Sequence, residues 1–258
     1  MVNLLVMITI GLLGCGNIGK IIGNYKGSWK IVALHDRIPE KAEELARVTG
    51  GRAHAGFESF IGADFDLVVE AASVKAVRTY AEPILRSGKD LVIMSVGALA
   101  DPSFRDDIVS VAGAIGKRVY IPSGAICGLD NLKVARISPL SHLLLRTTKS
   151  PASLGIAATK KTLVFQGKAN ECIKEFPRNV NVSVALSLAC GRDADVELYV
   201  DPAVVRNVHE IFAEGAFGDM YIRVSNLPSP DNPATSYLAA LSILSLLDHI
   251  GDPIVVGT

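Results

Sequence analysis

The segment Gly14-Cys15-Gly16-Asn17-Ile18-Gly19 separates the apolar run Ile8–Leu13 from a stretch with helical periodicity that continues to Tyr25. It is a G-x-G-x-x-G pattern with a predicted strand before it and a predicted helix after it. That context, more than the glycines alone, is typical of domains that bind a dinucleotide. The segment therefore predicts a dinucleotide cofactor and a parallel α/β sheet around it.

Five positions of this segment have a predicted role in the cofactor site. Gly14 permits a tight turn, Gly16 lets the backbone approach a pyrophosphate, and Gly19 allows the helix to pack closely on the strand. Asn17 and Ile18 begin the helix, whose first N–H groups lack intrahelical partners and attract phosphate. All five residues are therefore predicted to bind or shape the cofactor.

An acidic residue follows the second apolar run. Asp36 comes just after Lys30–Leu34 and about 20 residues beyond the first glycine, where a carboxylate binds the adenosine ribose. Arg37 stands next to it, and its guanidinium is a group that accepts the 2′-phosphate of NADP. The sequence therefore favours NAD as the cofactor and leaves NADP open as an alternative.

Strand and helix patterns alternate through the first half of the chain, which predicts βαβ units. The predicted strands are Ile8–Leu13, Lys30–Leu34, Asp66–Ala72, Leu91–Val96 and Arg118–Ile121, and the predicted helices are Pro39–Val48, Lys75–Arg86 and the segment from Asp101 to Ile115. The pattern indicates an α/β domain, a doubly wound parallel Rossmann sheet whose strands all end on the cofactor side. The turn residues predicted at the cofactor are Ala72, Ser73, Ser95 and Gly97, followed by the turn Ser123–Ala125.

The second half of the chain does not alternate strictly, which predicts an α+β second domain with a mixed sheet. Its predicted strands are His142–Thr148, Thr162–Gly167, Val196–Val200 and Met220–Ser225, and its predicted helices are Gly128–Ile137, Lys168–Phe176, Asn179–Ala189, one beginning at Asp201-Pro202, and Ala234–Ile250 entered through Asn232-Pro233. We expect residues 1–124, completed by the C-terminal helix 234–258, to form the dinucleotide-binding domain. Residues 125–233 are then the catalytic and dimerisation domain.

Composition excludes several classes of protein. The 258 residues include 26 basic and 26 acidic side chains, a balance that gives no reason to expect nucleic acid or an anionic membrane as partner. No apolar run reaches the roughly 20 residues of a membrane span. The four cysteines, scattered without metal-ligand or redox spacing, predict reduced thiols, no metal site and a cytoplasmic protein. Either Met1 or Met7 is the natural start.

The second domain must supply the chemistry, because a nucleotide fold does not name a reaction. Among five histidines, His209 lies in the helix predicted from Asp201-Pro202, at the edge of an apolar stripe, where its ring can face a cleft. The pattern alone favours a structural histidine over a proton-transfer group. Lys149, Lys160 and Lys161 are candidates for binding an acidic substrate, with a solvated loop the favoured interpretation for each.

Polar residues also precede an apolar helix in the stretch Phe176-Pro177-Arg178-Asn179-Val180-Asn181-Val182. Amide and guanidinium groups near a helix N-terminus bind carboxylates and amides well. Ordinary helix capping explains the same residues equally well, so both interpretations stay open.

Taken together, several motifs of the second half resemble the L-aspartate dehydrogenase family. They are Ser123-Gly124-Ala125-Ile126-Cys127-Gly128-Leu129-Asp130, the stretch Phe176–Val182, Asn207-Val208-His209, Gly215-Ala216-Phe217-Gly218 and Asn232-Pro233-Ala234-Thr235-Ser236-Tyr237-Leu238-Ala239. The resemblance implies NAD(P)-dependent oxidation of L-aspartate to iminoaspartate, which yields oxaloacetate and ammonia. It further implies a homodimer and, in some members, a supply of iminoaspartate to NAD biosynthesis.

By the same resemblance, His209 matches the catalytic histidine, and Ala125 and Asn181 match positions that contact the cofactor. Lys149, Asn181 and Asn207 are the groups expected to hold the substrate carboxylates. The family pattern raises His209 from a structural candidate to the expected catalytic histidine, either as general base or as the group that orients the water that hydrolyses the imine.

Two alternatives to this interpretation remain at the level of sequence. One is another two-domain oxidoreductase, such as a homoserine dehydrogenase or a dihydrodipicolinate reductase, although the lysine–aspartate pair of the first and the histidine-rich motif of the second are not evident. The other is a non-catalytic module that senses NAD and passes its redox state to a partner. Turnover with an amino acid separates the two classes.

Overall fold

The computed structural model describes residues 7–176, 181–229 and 232–257. The chain divides into two compact units. The first runs to Pro122 and takes in Ile243–Val255, and the second comprises Ser123–Ser242 and the last few residues. The C-terminal segment 234–258, expected to complete the first domain as a whole, is thus shared between the two units. The predictions for residues 1–6 and for Pro177 to Val180 lie outside the described residues.

The first unit contains a six-stranded parallel sheet in the order β3-β2-β1-β4-β5-β6, which confirms the doubly wound Rossmann fold. Its strands are β1 (Ile8–Leu13), β2 (Trp29–His35), β3 (Arg52–Ala53), β4 (Leu67–Glu70), β5 (Asp90–Ile93) and β6 (Val119–Tyr120). Its helices are α1 (Asn17–Asn24), α2 (Pro39–Thr49), α3 (Phe57–Ile61), α4 (Val74–Arg86) and α5 (Pro102–Ile115). The short β3 and α3 were not predicted.

The strands of this sheet are almost continuously aliphatic because helices cover both faces. Ile10, Leu12, Val69 and Val92 are fully buried. The C-terminal helix α10 (Tyr237–His249) adds Ile243, Leu244 and Leu247 to the same core. The apolar character of this helix therefore reflects packing against the nucleotide-binding sheet.

The second unit is built on a five-stranded sheet in the order β11-β10-β7-β9-β8. The strands of the unit are β7 (Leu140–Lys149), β8 (Thr162–Lys168), β9 (Asp195–Val200), β10 (Asn207–Gly215), β11 (Gly218–Asn226), β12 (Pro228–Ser229) and β13 (Asn232–Ser236). Its other helices are α6 (Leu129–Leu132), α7 (Pro151–Leu154), α8 (Ala169–Glu175) and α9 (Asn181–Cys190). Only β7 and β9 pair in parallel, so the sheet is mixed, as predicted.

One face of this sheet, here called the inner face, carries the core of the second unit. Leu143, Leu145 and Ile211 are buried there together with Leu186 of α9. The opposite, outer face carries the ion pair between Arg146 and Glu197. Side chains alternate between the two faces along each strand, and the inner face holds all the polar residues discussed below.

The prediction of a helix beginning at Asp201-Pro202 was wrong, because His209 lies on strand β10 (Asn207–Gly215). The strand pairs with β7 on one side and β11 on the other, so both neighbours supply its backbone hydrogen bonds. On this strand, Val208 and Phe212 lie on the outer face, and His209 and Ile211 lie on the inner face. Over so short a segment, the spacing of these apolar residues also fits one face of a helix. Pairing with strands distant in sequence makes this segment a strand and not a helix.

Three other boundaries differ from prediction. The C-terminal helix begins at Tyr237 and not near Pro233, since Asn232–Ser236 forms a strand paired with Pro228–Ser229. The helix predicted at 128–137 is a short helix that tightens into a 3₁₀ turn at Lys133–Arg136. The strand predicted at 91–96 ends at Ile93, before a 3₁₀ turn over residues 96–100.

In the described part of the chain, no helix combines the length and the apolar character needed to cross a membrane.

Candidate active site

The glycine turn of the first unit is shaped by two positions where a side chain would not fit. Gly14 has a φ of 103°, and a Cβ there would lie 2.6 Å from the carbonyl oxygen of Ala71. A Cβ on Gly19 would collide with the carbonyl oxygen of Gly14, so α1 can approach β1 only without one. The Gly14 N–H donates to the His35 carbonyl at 2.8 Å, which joins the turn to the end of β2. These two positions require glycine because of the backbone conformation and the close packing of the turn.

Gly16 differs from both, because a Cβ added there meets no atom within 4 Å. It is the N-cap of α1 with an ordinary φ of −77°, no side chain caps the helix, and its first turn contains no acidic residue. The N-terminus of the helix thus has no side-chain cap and has open space beside Gly16, which suits a pyrophosphate. The turn therefore fits the dinucleotide that the sequence predicts.

This contrast between the glycines makes a prediction. We expect Gly16→Ala to leave the thermal midpoint unchanged but to weaken NAD binding about 10–100-fold, because its methyl group would occupy the space for the pyrophosphate. Gly14→Ala should instead destabilise the fold by about 1–3 kcal/mol, since its φ and its contact with Ala71 are both unfavourable. Calorimetric melting and NAD titration measure the two effects. Equal loss of stability in both variants would contradict the assignment.

Asp36 lies where the adenosine ribose is expected. Its carboxylate accepts the Cys15 N–H at 2.7 Å and the Ile38 N–H at 2.8 Å, so it holds the glycine turn to the end of β2. The residue is half-buried and Arg37 beside it is exposed. Each carboxylate oxygen accepts more than one hydrogen bond, so ribose binding is compatible with these contacts. Burial raises the pKa of the Cys15 thiol to about 12, which keeps this cysteine protonated.

Glu70 is a buried carboxylate at the end of β4 that the sequence analysis did not single out. Its Oε1 accepts the N–H groups of Ala72 and Ser73 at 2.8 and 2.9 Å and the Ser95 hydroxyl at 2.8 Å. Its Oε2 accepts the N–H groups of Met94 and Ser95 at 3.2 and 3.0 Å. Burial raises the pKa of Glu70, and these hydrogen bonds oppose that shift.

Glu70 thus joins the turns after β4 and β5, which contain four of the predicted cofactor residues. Ala72 and Ser73 are exposed in the first turn, Ser95 is half-buried and Gly97 is buried in the second. The signal for Glu70 was an ionisable residue at the end of a fully apolar strand, where a buried charge requires several donors.

In the second unit, His209 and two residues of β7 meet on the inner face of the sheet. His209 pairs with Thr147 in register, and its Nδ1 lies 2.9 Å from the Thr147 hydroxyl. Lys149 follows two residues along the same strand and therefore points to the same face. Burial, with the nearby charge of Lys149, lowers the pKa of His209 to about 3, so its imidazole is neutral.

Lys149 is not in a solvated loop, as had been favoured, but is the buried last residue of β7. Burial lowers the pKa of its amine to about 8. Lys160 and Lys161 are exposed, in line with their expected solvation. Of the three lysines, Lys149 alone is buried, and it lies next to His209 on the inner face.

Asn207 is buried two residues before His209 and lies on the same face. Its partner on β11 is Asn226, whose Nδ2 donates to the Ala125 carbonyl at 2.9 Å. Ala125 is also buried, and the preceding Gly124 N–H donates to the Ser242 hydroxyl at 3.1 Å. The predicted cofactor position Ala125 is thus attached to the polar end of the sheet.

Asn181, predicted to contact both cofactor and substrate, is the exposed first residue of α9. The rest of that helix packs on the inner face through Val182 and Leu186. Asn179 and Arg178 lie outside the described residues. Among the described residues, no group of three or more His, Cys, Asp or Glu side chains is arranged to hold a metal ion.

The parallel sheet and its glycine turn place this chain among the NAD-binding oxidoreductases. It is 60% identical to the L-aspartate dehydrogenase of Methanospirillum hungatei over 252 residues, which cover 98% of this chain and all of that relative. The chain belongs to the aspartate dehydrogenase family.

Other comparisons agree with this assignment. Residues 130–250 match the family described as aspartate dehydrogenase, C-terminal, and residues 14–122 match the one described as homoserine dehydrogenase, NAD binding domain. The L-aspartate dehydrogenase of Methanothermobacter thermautotrophicus is 42% identical over 258 residues, 98% of this chain and all of that relative. The crystal structure of aspartate dehydrogenase from Thermotoga maritima has a TM-score of 0.82 and 32% identity, covering 97% of this chain and 99% of that one.

Proposed function

We propose that this protein oxidises L-aspartate with NAD to iminoaspartate, which water converts to oxaloacetate and ammonia. The observation that carries the proposal is the buried, neutral His209 held by Thr147 next to Lys149, in a chain 60% identical to an L-aspartate dehydrogenase. A proton acceptor and a cation on one sheet face suit a substrate with an amino group and two carboxylates. The bound nicotinamide supplies the hydride acceptor.

His209 acts in this proposal as the base that takes a proton from the substrate amino group. Its Nδ1–H then donates to the Thr147 hydroxyl, which leaves Nε2 as the acceptor. The low pKa of His209 results from burial and the charge of Lys149, both of which disfavour the imidazolium. Two substrate carboxylates near these residues oppose the lysine charge and raise that pKa toward neutrality. Binding of the substrate therefore makes His209 a better base.

Lys149 and Asn207 bind the carboxylates in this scheme. A buried ammonium is a strong partner for an anion because little water screens it, and the amide of Asn207 donates from the neighbouring strand. Asn181, at the first turn of α9, is proposed to contribute a further amide to substrate and cofactor. Ala125 is proposed to contact the cofactor through its backbone.

The lowered pKa of Lys149 predicts how dicarboxylate binding depends on pH. Only the ammonium form attracts a carboxylate, so affinity should be constant below about pH 8 and fall about tenfold for each further pH unit. Succinate is the appropriate probe, because it does not titrate in this range. Lys149→Met should bind succinate weakly and without this pH dependence, whereas Lys160→Met should behave as the wild type. Wild-type affinity that stays constant to pH 10 would exclude Lys149 as the anion-binding group.

Asp36 and Arg37 lead us to propose that NAD is preferred and NADP is also accepted. The carboxylate of Asp36 suits two ribose hydroxyls and repels a 2′-phosphate, whereas the exposed Arg37 attracts one. The preference is measured as kcat/KM for each cofactor with L-aspartate saturating. A larger value for NADP would contradict it.

We further propose that the protein is a cytoplasmic homodimer that supplies iminoaspartate for NAD biosynthesis. Four free cysteines suit a reducing compartment. On the outer face of the second sheet, Tyr221 and Leu163 are 55% and 41% exposed on the two edge strands, and we propose this face as the dimer contact. Light scattering during gel filtration measures the mass, and a monomer would contradict the dimer.

The experiment that tests the function follows absorbance at 340 nm with purified protein, NAD and L-aspartate, and in reverse with NADH, oxaloacetate and ammonium. Turnover in both directions supports the proposal, and L-malate and L-homoserine serve as substrate controls. NAD binding without turnover of L-aspartate in either direction would overturn it. A preference for L-homoserine would assign the chain to the rival two-domain dehydrogenases.

A further inference from the structure

Asn226 contains a buried acceptor atom that its surroundings do not explain. The residue is 3% exposed at the end of β11. Its Nδ2 donates to the Ala125 carbonyl, but its Oδ1 accepts no hydrogen bond within the described part of the chain. Leaving a buried acceptor unpaired is unfavourable, and native structures contain few such atoms.

The orientation of this amide is determined by its neighbour. Exchanging Nδ2 and Oδ1 would place two acceptor oxygens, the Asn226 Oδ1 and the Ala125 carbonyl, 2.9 Å apart. The observed orientation is therefore the favourable one, and Oδ1 points away from Ala125. It presents an acceptor to whatever lies on that side.

Asn226 belongs to a row of three polar side chains across neighbouring strands of the inner face. Asn207 is opposite Asn226 in the register of β10 and β11. One step beyond the pair Val208–Thr148, Asn207 is also opposite Lys149 on β7. Neighbouring strands lie about 4.8 Å apart, so the row spans about 10 Å from the lysine to Asn226.

We propose that Asn226 Oδ1 accepts a hydrogen bond from the α-amino group of the bound amino acid; this rests on the function proposed above. At neutral pH the carboxylates of L-aspartate carry no proton, so its amino group is its only donor. The same group is positively charged in solution and is repelled by Lys149, whereas the carboxylates are attracted. A row with a cation at one end and an acceptor at the other therefore orients the substrate.

In this arrangement Asn226 recognises the amino group and distinguishes amino acids from dicarboxylates of the same length. His209 lies in the next row, between the strands of Lys149 and Asn226, opposite Thr147 and Val224. Its position beside the amino end of the substrate is the one that a base acting on nitrogen requires. Asn226 then fixes the amino group while His209 takes its proton.

The test compares L-aspartate with succinate, which lacks only the amino group. Each is titrated into the NADH-bound protein by calorimetry, so that no turnover occurs. We expect Asn226→Leu to weaken L-aspartate binding about 10–100-fold and to leave succinate binding within about twofold of the wild type. Ser229→Ala removes the other unpartnered buried hydroxyl or amide oxygen found among the described residues and should change neither.

Three results would overturn the inference. Equal weakening of both ligands in Asn226→Leu would show that the amide only positions the Ala125 segment. Unchanged binding of both would show that Oδ1 accepts nothing from the substrate. A separate titration measures NADH binding to each variant, and weaker NADH binding alone would assign the acceptor to the cofactor carboxamide. Because the ratio of the two affinities is read on folded protein, Asn226→Ala provides it if the leucine variant does not fold.

These titrations, together with the 340 nm turnover assay described above, distinguish this inference from the proposed function. If the wild type turns over L-aspartate but Asn226→Leu keeps the wild-type affinity ratio, only the role of Asn226 fails. If the wild type neither binds nor turns over L-aspartate, the proposed function fails, and the role of Asn226 fails with it.

Discussion

Replacing His209 with glutamine should lower kcat for NAD-dependent oxidation of L-aspartate by about 10²–10⁴-fold. Glutamine keeps much of the volume and a polar end but cannot accept a proton near neutral pH. Because His209 is assigned to proton transfer from the substrate and not to binding of the cofactor, NAD affinity should stay within about twofold of the wild type. Initial rates at saturating substrates and an NAD titration measure the two quantities.

The controls for this prediction address the burial of His209. His142→Gln changes a half-buried histidine on β7 of the same sheet and should leave kcat unchanged. Thr147→Val removes the hydroxyl next to Nδ1 and should lower kcat by less than the His209 variant, since the imidazole remains. A folded His209→Gln protein with wild-type kcat would show that His209 is a core histidine whose hydrogen bond is only structural.

Glu70→Gln should lower the free energy of unfolding by about 2–4 kcal/mol, because an NH₂ group replaces one of two oxygens that together accept five hydrogen bonds. For a chain of this size the thermal midpoint should fall by roughly 5–15 °C. NAD affinity should fall as well, since the turns at Ala72 and Ser95 lose their common partner. Thermal melting with and without NAD measures both effects.

Glu82→Gln is the matched control for this second prediction. Glu82 pairs with Arg86 on the exposed surface of α4, where an ion pair of this kind contributes only about 0.3–0.5 kcal/mol. Its loss should barely change the thermal midpoint or NAD affinity. If Glu70→Gln were equally mild, the five hydrogen bonds would not be what joins the two turns.

The glycine turn and Asp36 could be predicted because their requirements are local. Gly14 needs a positive φ and Gly19 needs the absence of a Cβ, and both needs arise within a single strand–turn–helix unit. The start of a helix at Asp101 was predicted for the same reason, and the Asp101 carboxylate caps this helix by accepting the Ser103 N–H at 3.1 Å. Alternating strands and helices then indicated the sheet, since βαβ units have one preferred handedness.

Local sequence patterns were less informative for the second unit. The segment from Asn207 to Gly215 has spacing that suits a helix as well as a strand, and its partners on β7 are distant in sequence. Lys149 could not be distinguished from Lys160 and Lys161, because the burial of a side chain depends on segments distant in sequence and not on its neighbours along the chain. The family resemblance identified His209 as a candidate catalytic residue, but it did not give the contacts or the burial of that residue.

Sequence patterns were enough to predict the parallel nucleotide-binding sheet, the glycine turn expected at the pyrophosphate and the membership of a family. Contacts between distant segments were needed to show that His209 is buried beside Lys149, that Glu70 joins two turns and that Asn226 Oδ1 accepts no hydrogen bond within the described residues. The physical reason is the range of the forces involved. Backbone strain and helix capping act within a few residues, whereas burial and strand pairing act between residues such as Thr147 and His209, 62 positions apart.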